Sequence, residues 1–253
     1  MKEGEHIITA AGGNATAIRV LEGSQDRSWY AREGADLLTR AEALGAEQSG
    51  FLVPGERHFE MAGGEFCGNA ARSAAVLLSN ILGLDSFDFT MSGYQGPVLA
   101  NVRALGADRF DVSCLFSDLP ATITGVEVLD GQSAKLVDLG GIVHVVIEAP
   151  FPESSYEQQH RDITEELGLT ERGAVGVCWI GKTNDGYLMH PVVWVRAIDS
   201  FFYETSCGSG SIAVEVVTSS SRIEQPSGEI IEVVRDDDGI TLHSEMEVLH
   251  AAS

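Results

Sequence analysis

The chain has 253 residues, 44% of them hydrophobic and 21% charged, which is an ordinary globular composition with room for one large or two modest domains. Sixteen basic residues against 38 acidic ones leave a net charge of −22, a surface that repels phosphate backbones and anionic membranes. No apolar run reaches the length of about 18 residues that a spanning helix needs, and the polar, acidic start Met1–His6 lacks the form of a secretory signal. The expected address is therefore the cytoplasm, with a small molecule as partner rather than nucleic acid or membrane. The acidity itself reads as solubility or adaptation to a salty cytoplasm.

In chain order, Ile7–Ala10 and Ala17–Val20 read as short strands around a Gly12-Gly13-Asn14 turn. Asp36–Leu44 has the spacing of an amphipathic helix, and Gly50–Pro54 and His58–Met61 read as strands. Gly63-Gly64-Glu65-Phe66-Cys67-Gly68-Asn69-Ala70 follows, then Ala71–Leu82, apolar on every face and closed by Gly83. A helix apolar all round has to be enclosed. Phe87–Met91, Gly96–Ala104 and Phe110–Leu115 read as strands.

The second half repeats this scheme: strands Lys135–Asp138 and His144–Glu148, a polar helix around Ile163–Leu167, and strands Val175–Ile180 and Val192–Val195. Glu204-Thr205-Ser206-Cys207-Gly208-Ser209-Gly210 then leads into the small and aliphatic residues Ser211–Val217. Cys67 and Cys207 stand about half a chain apart in matching contexts, the mark of a degenerate duplication. The expected fold is α/β with two pseudo-symmetric lobes, each a β-sheet or barrel wrapped around a central helix. The expected boundaries are 1–119, joined by a final strand 244–253, and 120–243.

Each Cys-Gly pair falls where a turn becomes a helix. There the partial positive charge and open N–H groups of the helix start stabilise a thiolate, and they also accept a carboxylate. Two such starts suit an α-amino acid, one sulfur removing the α-proton while the other returns one from the opposite side. The competing reading of any cysteine is a small buried hydrophobe, which is how Cys114 and Cys178 read within their strands. No C-x-x-C pair, H-x-x-x-H pair, Walker A loop or dinucleotide-binding glycine motif is present, so neither a metal nor a cofactor is signalled.

Gly64–Ala70 and Ser206–Gly210, with Gly12-Gly13-Asn14 near the start and Gln225-Pro226-Ser227-Gly228-Glu229-Ile230 near the end, resemble the diaminopimelate epimerase family over nearly the whole chain. The resemblance implies two similar lobes with the site in the cleft between them, a homodimer, and cofactor-independent chemistry at Cys67 and Cys207. The chain departs from the epimerase proper in three places. The arginine-bearing E-R-G segment before the second cysteine is absent, the run being Val195–Glu204 with Arg196 too far upstream. Gly140-Gly141-Ile142-Val143-His144 replaces G-N-P-H, and the N-V asparagine is lost in Val175-Gly176-Val177-Cys178. Distal contacts are thus altered while the proton-transfer parts remain.

These departures are similar to the histidine racemase branch of opine-metallophore pathways, matched by Glu47-Gln48-Ser49-Gly50-Phe51, Glu204–Gly210 and Gln225–Gly228. On this resemblance the substrate is histidine or another cationic amino acid. Asn14, Glu47, Gly68, Asn69, Gly208 and Ser209 are the candidate substrate contacts. Glu47 reads equally as a solvated acid at a helix end, and Asn14 and Asn69 as turn formers. Glu204 braces its loop or touches substrate, and His58 and His144 read as structural. A diaminopimelate epimerase with altered contacts, a phenazine-pathway type of isomerase and a non-catalytic amino-acid-binding protein are the alternatives.

Overall fold

The computed structural model describes residues 4–129, 131–196 and 199–251. Met1–Glu3, Asp130, Ala197 and Ile198 of the run before Cys207, and Ala252 and Ser253 of the expected last strand lie outside the described residues. The chain forms two compact units, one comprising residues up to Asp118 together with those from Val234 onward, the other Leu119–Val233.

The first unit contains β1 (Glu5–Ala10), β2 (Gly13–Val20), α1 (Arg27–Ala41), β3 (Ala46–Val53), β4 (His58–Met61), α2 (Gly68–Leu82), β5 (Ser86–Met91), β6 (Val98–Ala104) and β7 (Arg109–Phe116). Its last strand, β16 (Gly239–Ala251), comes from the end of the chain. The strands pair in the order β1 to β7 and then β16, and β16 pairs again with β1, so the sheet closes into a barrel. Helix α2 threads it, in contact with β1, β2, β4, β5, β6, β7 and β16. This is why its sequence is apolar on every face: Gly68 through Ser79 are all buried. Gly83 ends it in the left-handed conformation at φ 67°, as the sequence suggests. Helix α1 packs outside on β3 and starts at Arg27, well before the expected Asp36, capped by the Asp26 carboxylate accepting from Trp29 N.

The second unit contains β8 (Thr122–Val128), β9 (Gln132–Asp138), β10 (Val143–Glu148), α3 (Tyr156–Glu166), β11 (Ala174–Lys182), β12 (Tyr187–Val195), β13 (Ser200–Tyr203), α4 (Gly208–Thr218), β14 (Arg222–Glu224) and β15 (Ile230–Asp236). Strands β8 to β12 pair in order. One edge of β12 is shared, with β13 antiparallel along Val192–Val195 and β14 parallel along Tyr187–Leu188. Helix α4 packs on β9, β10, β11 and β14.

The duplication is explicit in the pairings. In the first unit β1 and β2 are antiparallel, α1 crosses to a parallel β3, β4 returns antiparallel, and α2 precedes a β5 parallel to β4. In the second, β9, β10, α3, β11, β12, α4 and β14 repeat those relations in the same order. Among the described residues no helix is long and apolar enough to cross a membrane.

Candidate active site

The two cysteines occupy the same position in the two copies. Cys67 is the N-cap of α2 at φ −140°, ψ 111°, and Cys207 the N-cap of α4 at φ −138°, ψ 107°. Each sulfur accepts a backbone N–H three residues on, from Ala70 at 3.4 Å and from Gly210 at 3.3 Å. Each carbonyl accepts the first intrahelical bond, from Ala71 N and Ser211 N. The cap thus consumes the third and fourth N–H groups. Those of Gly68 and Asn69, and of Gly208 and Ser209, have no carbonyl within the helix to reach and sit where the helix dipole favours an anion.

Beyond these shared bonds the surroundings differ. Cys67 is half-buried and its thiol donates to Gln48 Oε1 at 3.3 Å, while Gln48 Nε2 donates to Thr16 Oγ1 at 2.7 Å. Gln48 owes this orientation to a β-bulge: Ala15 pairs with Ala46 and Thr16 with Gln48, leaving Glu47 as the extra, exposed residue. Glu47 therefore stands on a strand, not at a helix end. Asn14 lies at the start of β2 with φ 44°, buried, which fits an asparagine in the left-handed region. Asn69 is held from below. The fully buried Arg72 donates Nη2 to its Oδ1 at 2.5 Å, Nε to Gly68 O at 3.2 Å and Nη1 to Ser244 Oγ at 2.7 Å.

Cys207 is buried, and Gln225 fixes its backbone by accepting from Cys207 N at 2.9 Å. Its sulfur lies 3.6 Å from Ser209 Oγ, which meets His144 Nε2 at 2.9 Å, and His144 Nδ1 lies 3.6 Å from Cys178 Sγ. Gly176 makes room for the ring, since a Cβ there would fall 2.1 Å from His144 Nδ1. Gly210 makes room for the sulfurs, a Cβ there lying 3.1 Å from Cys207 Sγ and 3.2 Å from Cys178 Sγ. Burial pushes the Cys207 thiol well above its ordinary range, and the charge of Glu204 pushes it further. The Glu204 carboxylate also hydrogen-bonds the thiol, while the Gly210 N–H opposes these effects. Burial lowers His144 to about 3, so its ring is neutral and offers one donor and one acceptor.

Of the residues expected from sequence, Cys67, Gly68, Asn69, Asn14 and Glu47 lie in the first unit, and Cys207, Gly208 and Ser209 in the second. Gln48 at Cys67, and Cys178 and Gln225 at Cys207, were not expected, nor was Arg72 beneath Asn69. His144, expected to be structural, is a satisfied buried histidine whose partner is Ser209. His58 is satisfied by Thr90 Oγ1 at 2.8 Å and Glu60 Oε2 at 3.0 Å.

Residues 14–244 match the family described as the histidine racemase CntK N-terminal domain. The chain belongs to this family. It is 30% identical over 207 residues to a histidine racemase of Fusobacterium nucleatum subsp. nucleatum, covering 77% of this chain and 76% of that protein. A histidine racemase of Staphylococcus aureus is 25% identical over 238 residues, 87% and 84% of the two chains. Among solved structures, one described as a predicted epimerase from Pseudomonas aeruginosa superposes with a TM-score of 0.66 at 16% identity, covering 97% and 96%. The chain therefore has the fold of the diaminopimelate epimerase-like proteins and is an isomerase of the amino-acid racemase and epimerase class.

Proposed function

We propose that this enzyme interconverts L- and D-histidine without a cofactor, using the thiols of Cys67 and Cys207 as acid and base at Cα. The observation that carries this reading is the pair of cysteine N-caps, alike to within a few degrees, at equivalent points of a duplicated fold. In each direction one sulfur, as thiolate, takes the α-proton and leaves the electron pair on Cα, delocalised into the carboxylate. The other sulfur, as thiol, delivers its proton to the opposite face, so thiol and thiolate have exchanged roles when the inverted product forms. The N–H groups of Gly68 and Asn69, or of Gly208 and Ser209, receive the substrate carboxylate, and Asn14 completes its hydrogen bonding. Glu47, exposed on its bulge, pairs with the side chain of the substrate, which favours a cationic or imidazole group. The names of the curated relatives support histidine as that substrate.

Incubation with either histidine enantiomer in D₂O is expected to give the mixture of both, with deuterium at Cα of the inverted product. Cys67→Ser and Cys207→Ser are each expected to lose at least a hundredfold in racemisation. Full activity in either single variant overturns the two-thiol scheme, and absence of exchange with histidine alongside exchange with another amino acid overturns the substrate.

A further inference from the structure

Thr16 is a hydroxyl in an apolar stretch. It stands in β2 between Ala15 and Ala17, all three buried, where valine has the same shape and no polar atom. A buried hydroxyl costs stability unless it is hydrogen-bonded, and the partner of Thr16 Oγ1 is Gln48 Nε2 at 2.7 Å. The other end of the same amide, Oε1, accepts from the Cys67 thiol at 3.3 Å. The bulge aligns the three residues, since it sets Thr16 opposite Gln48 across the β2–β3 ladder and turns Glu47 outward. A thiol donates, whereas a thiolate only accepts. An amide has one acceptor end and one donor end, and a hydroxyl serves as either. With Cys67 as thiol, Oε1 faces the sulfur and Nε2 donates to Thr16, as the structure has it. With Cys67 as thiolate, a half-turn of the amide brings Nε2 to the sulfur and Oε1 to Thr16, whose O–H then donates. That terminal torsion is broad and twofold, so oxygen and nitrogen exchange places without displacing their neighbours. Valine at position 16 completes neither arrangement.

We propose that Thr16 and Gln48 form a reversible hydrogen-bonded pair that complements Cys67 in both of its protonation states, the amide turning over as the thiol proton leaves for Cα and turning back as the next is taken. This rests on the two-thiol reading, in which Cys67 starts one direction of the reaction as thiol and the other as thiolate. The N–H···S⁻ bond of the second arrangement is charge-assisted and is the stronger of the two sulfur contacts. Gln48 touches the reacting sulfur, and Thr16 is a positioning residue that acts only through Gln48.

The first test is the pH dependence of iodoacetamide labelling at Cys67 in the substrate-free enzyme, followed by peptide mass spectrometry. An amide fixed with Oε1 toward the sulfur favours the thiol, so its removal in Gln48→Met would lower the midpoint. An amide that turns favours the thiolate more, so Gln48→Met is expected to raise it. A midpoint that falls or stays in place overturns the proposal. The charged residues beside this helix start, Glu47, Glu65 and Arg72, are kept in every variant. The second test is a double-mutant cycle on histidine racemisation. Thr16→Val is expected to lower kcat in both directions about twofold to tenfold, the worth of one hydrogen bond, with KM unchanged, and Thr16→Ser to restore it. In the Gln48→Met background Thr16→Val should cost nothing further, because its partner is gone. No loss in the native background, or the same loss in both, overturns the role of Thr16. Labelling needs no substrate, so a raised midpoint in Gln48→Met without any Cα exchange removes the racemase reading and leaves the turning amide in place.

Discussion

Gln225 offers the most direct test of how the Cys207 helix start is held. Its side chain is buried and makes three hydrogen bonds, accepting from Cys207 N at 2.9 Å and donating to Ile223 O at 2.9 Å and Ser211 Oγ at 3.1 Å. Ser211 Oγ keeps a bond to Cys207 O at 2.7 Å without it. Truncation in Gln225→Ala therefore strands one buried backbone group, the Cys207 N–H, because Ile223 stays paired with Ile231 in the β14–β15 ladder. Such an orphan costs about 1–3 kcal/mol, which is the loss expected of the variant. A chain of this size loses about 2–4 °C of melting temperature per kcal/mol, giving a fall on the order of 5 °C. Calorimetry and urea unfolding measure it, with Gln25→Ala as control, since Gln25 is exposed and its amide reaches only Gly23 O. Surface changes of that kind stay within about 0.5 kcal/mol. Racemisation should fall by more than the folded fraction does, because the cap backbone is freed. Gln225→Glu keeps an acceptor for Cys207 N but donates only when protonated, so its stability relative to the native enzyme should improve as pH falls. A Gln225→Ala variant that melts within about 1 °C of the native enzyme and racemises at full rate would refute the assignment.

Two further outcomes follow from the same unit. Gly176→Ala places a Cβ 2.1 Å from His144 Nδ1 and 2.4 Å from Cε1, so the ring must turn and release Ser209. Overpacking of this kind costs about 1–3 kcal/mol, and racemisation should fall in protein that remains folded by circular dichroism; an unchanged rate would show that the Ser209 contact does not matter to turnover. His144 and His160 are buried with proton affinities lowered from 6.5 to about 3 and about 4, so unfolding near neutral pH gains ionisable imidazoles. Below about pH 6.5 the unfolded chain binds more protons than the folded one, and stability should fall with pH by up to about 1.4 kcal/mol per unit for each histidine, down to the folded-state values. Urea unfolding between pH 7.5 and 5 should show a shallower loss in His160→Gln than in the native enzyme, and equal slopes would contradict this account.

What could be read from the sequence was local chemistry. A run of small and aliphatic residues opened by Cys-Gly specifies a cap and an enclosed helix within a dozen positions, so α2, α4 and both sulfurs were legible. The start of α1 was not, because its buried stripe runs Tyr30, Gly34, Leu37, Ala41. Gly34 reads as a breaker until its role is seen: a Cβ there would fall 2.2 Å from Ala62 Cβ. Strand β8 escaped notice because Thr122 to Gly125 face outward without alternation, and β13 and β14 because they are only four and three residues long. Gln48 was hidden by its neighbour. The sequence pattern singles out Glu47, but the bulge turns Glu47 outward and aims Gln48 at Thr16 and Cys67, and register shifts of this kind leave no periodic trace. The Ser209–His144 contact joins residues 65 positions apart, beyond any local signal.

The duplicated fold and its divergence do different work. Duplication supplies two helix starts of one geometry, which is what a reaction with mirror-image partners needs. Divergence supplies the polarity, with Gln48 and Arg72 on one sulfur's side and Ser209, His144 and Glu204 on the other's. For interconverting enantiomers the overall equilibrium constant is unity, so kcat/KM must be equal in the two directions whatever the protein does. An electrostatic bias between the thiols therefore cannot favour one product at equilibrium. It can only move KM and kcat together for one enantiomer relative to the other. The unlike surroundings of two like helix starts therefore act on how each half of a reversible reaction proceeds and leave its end point untouched.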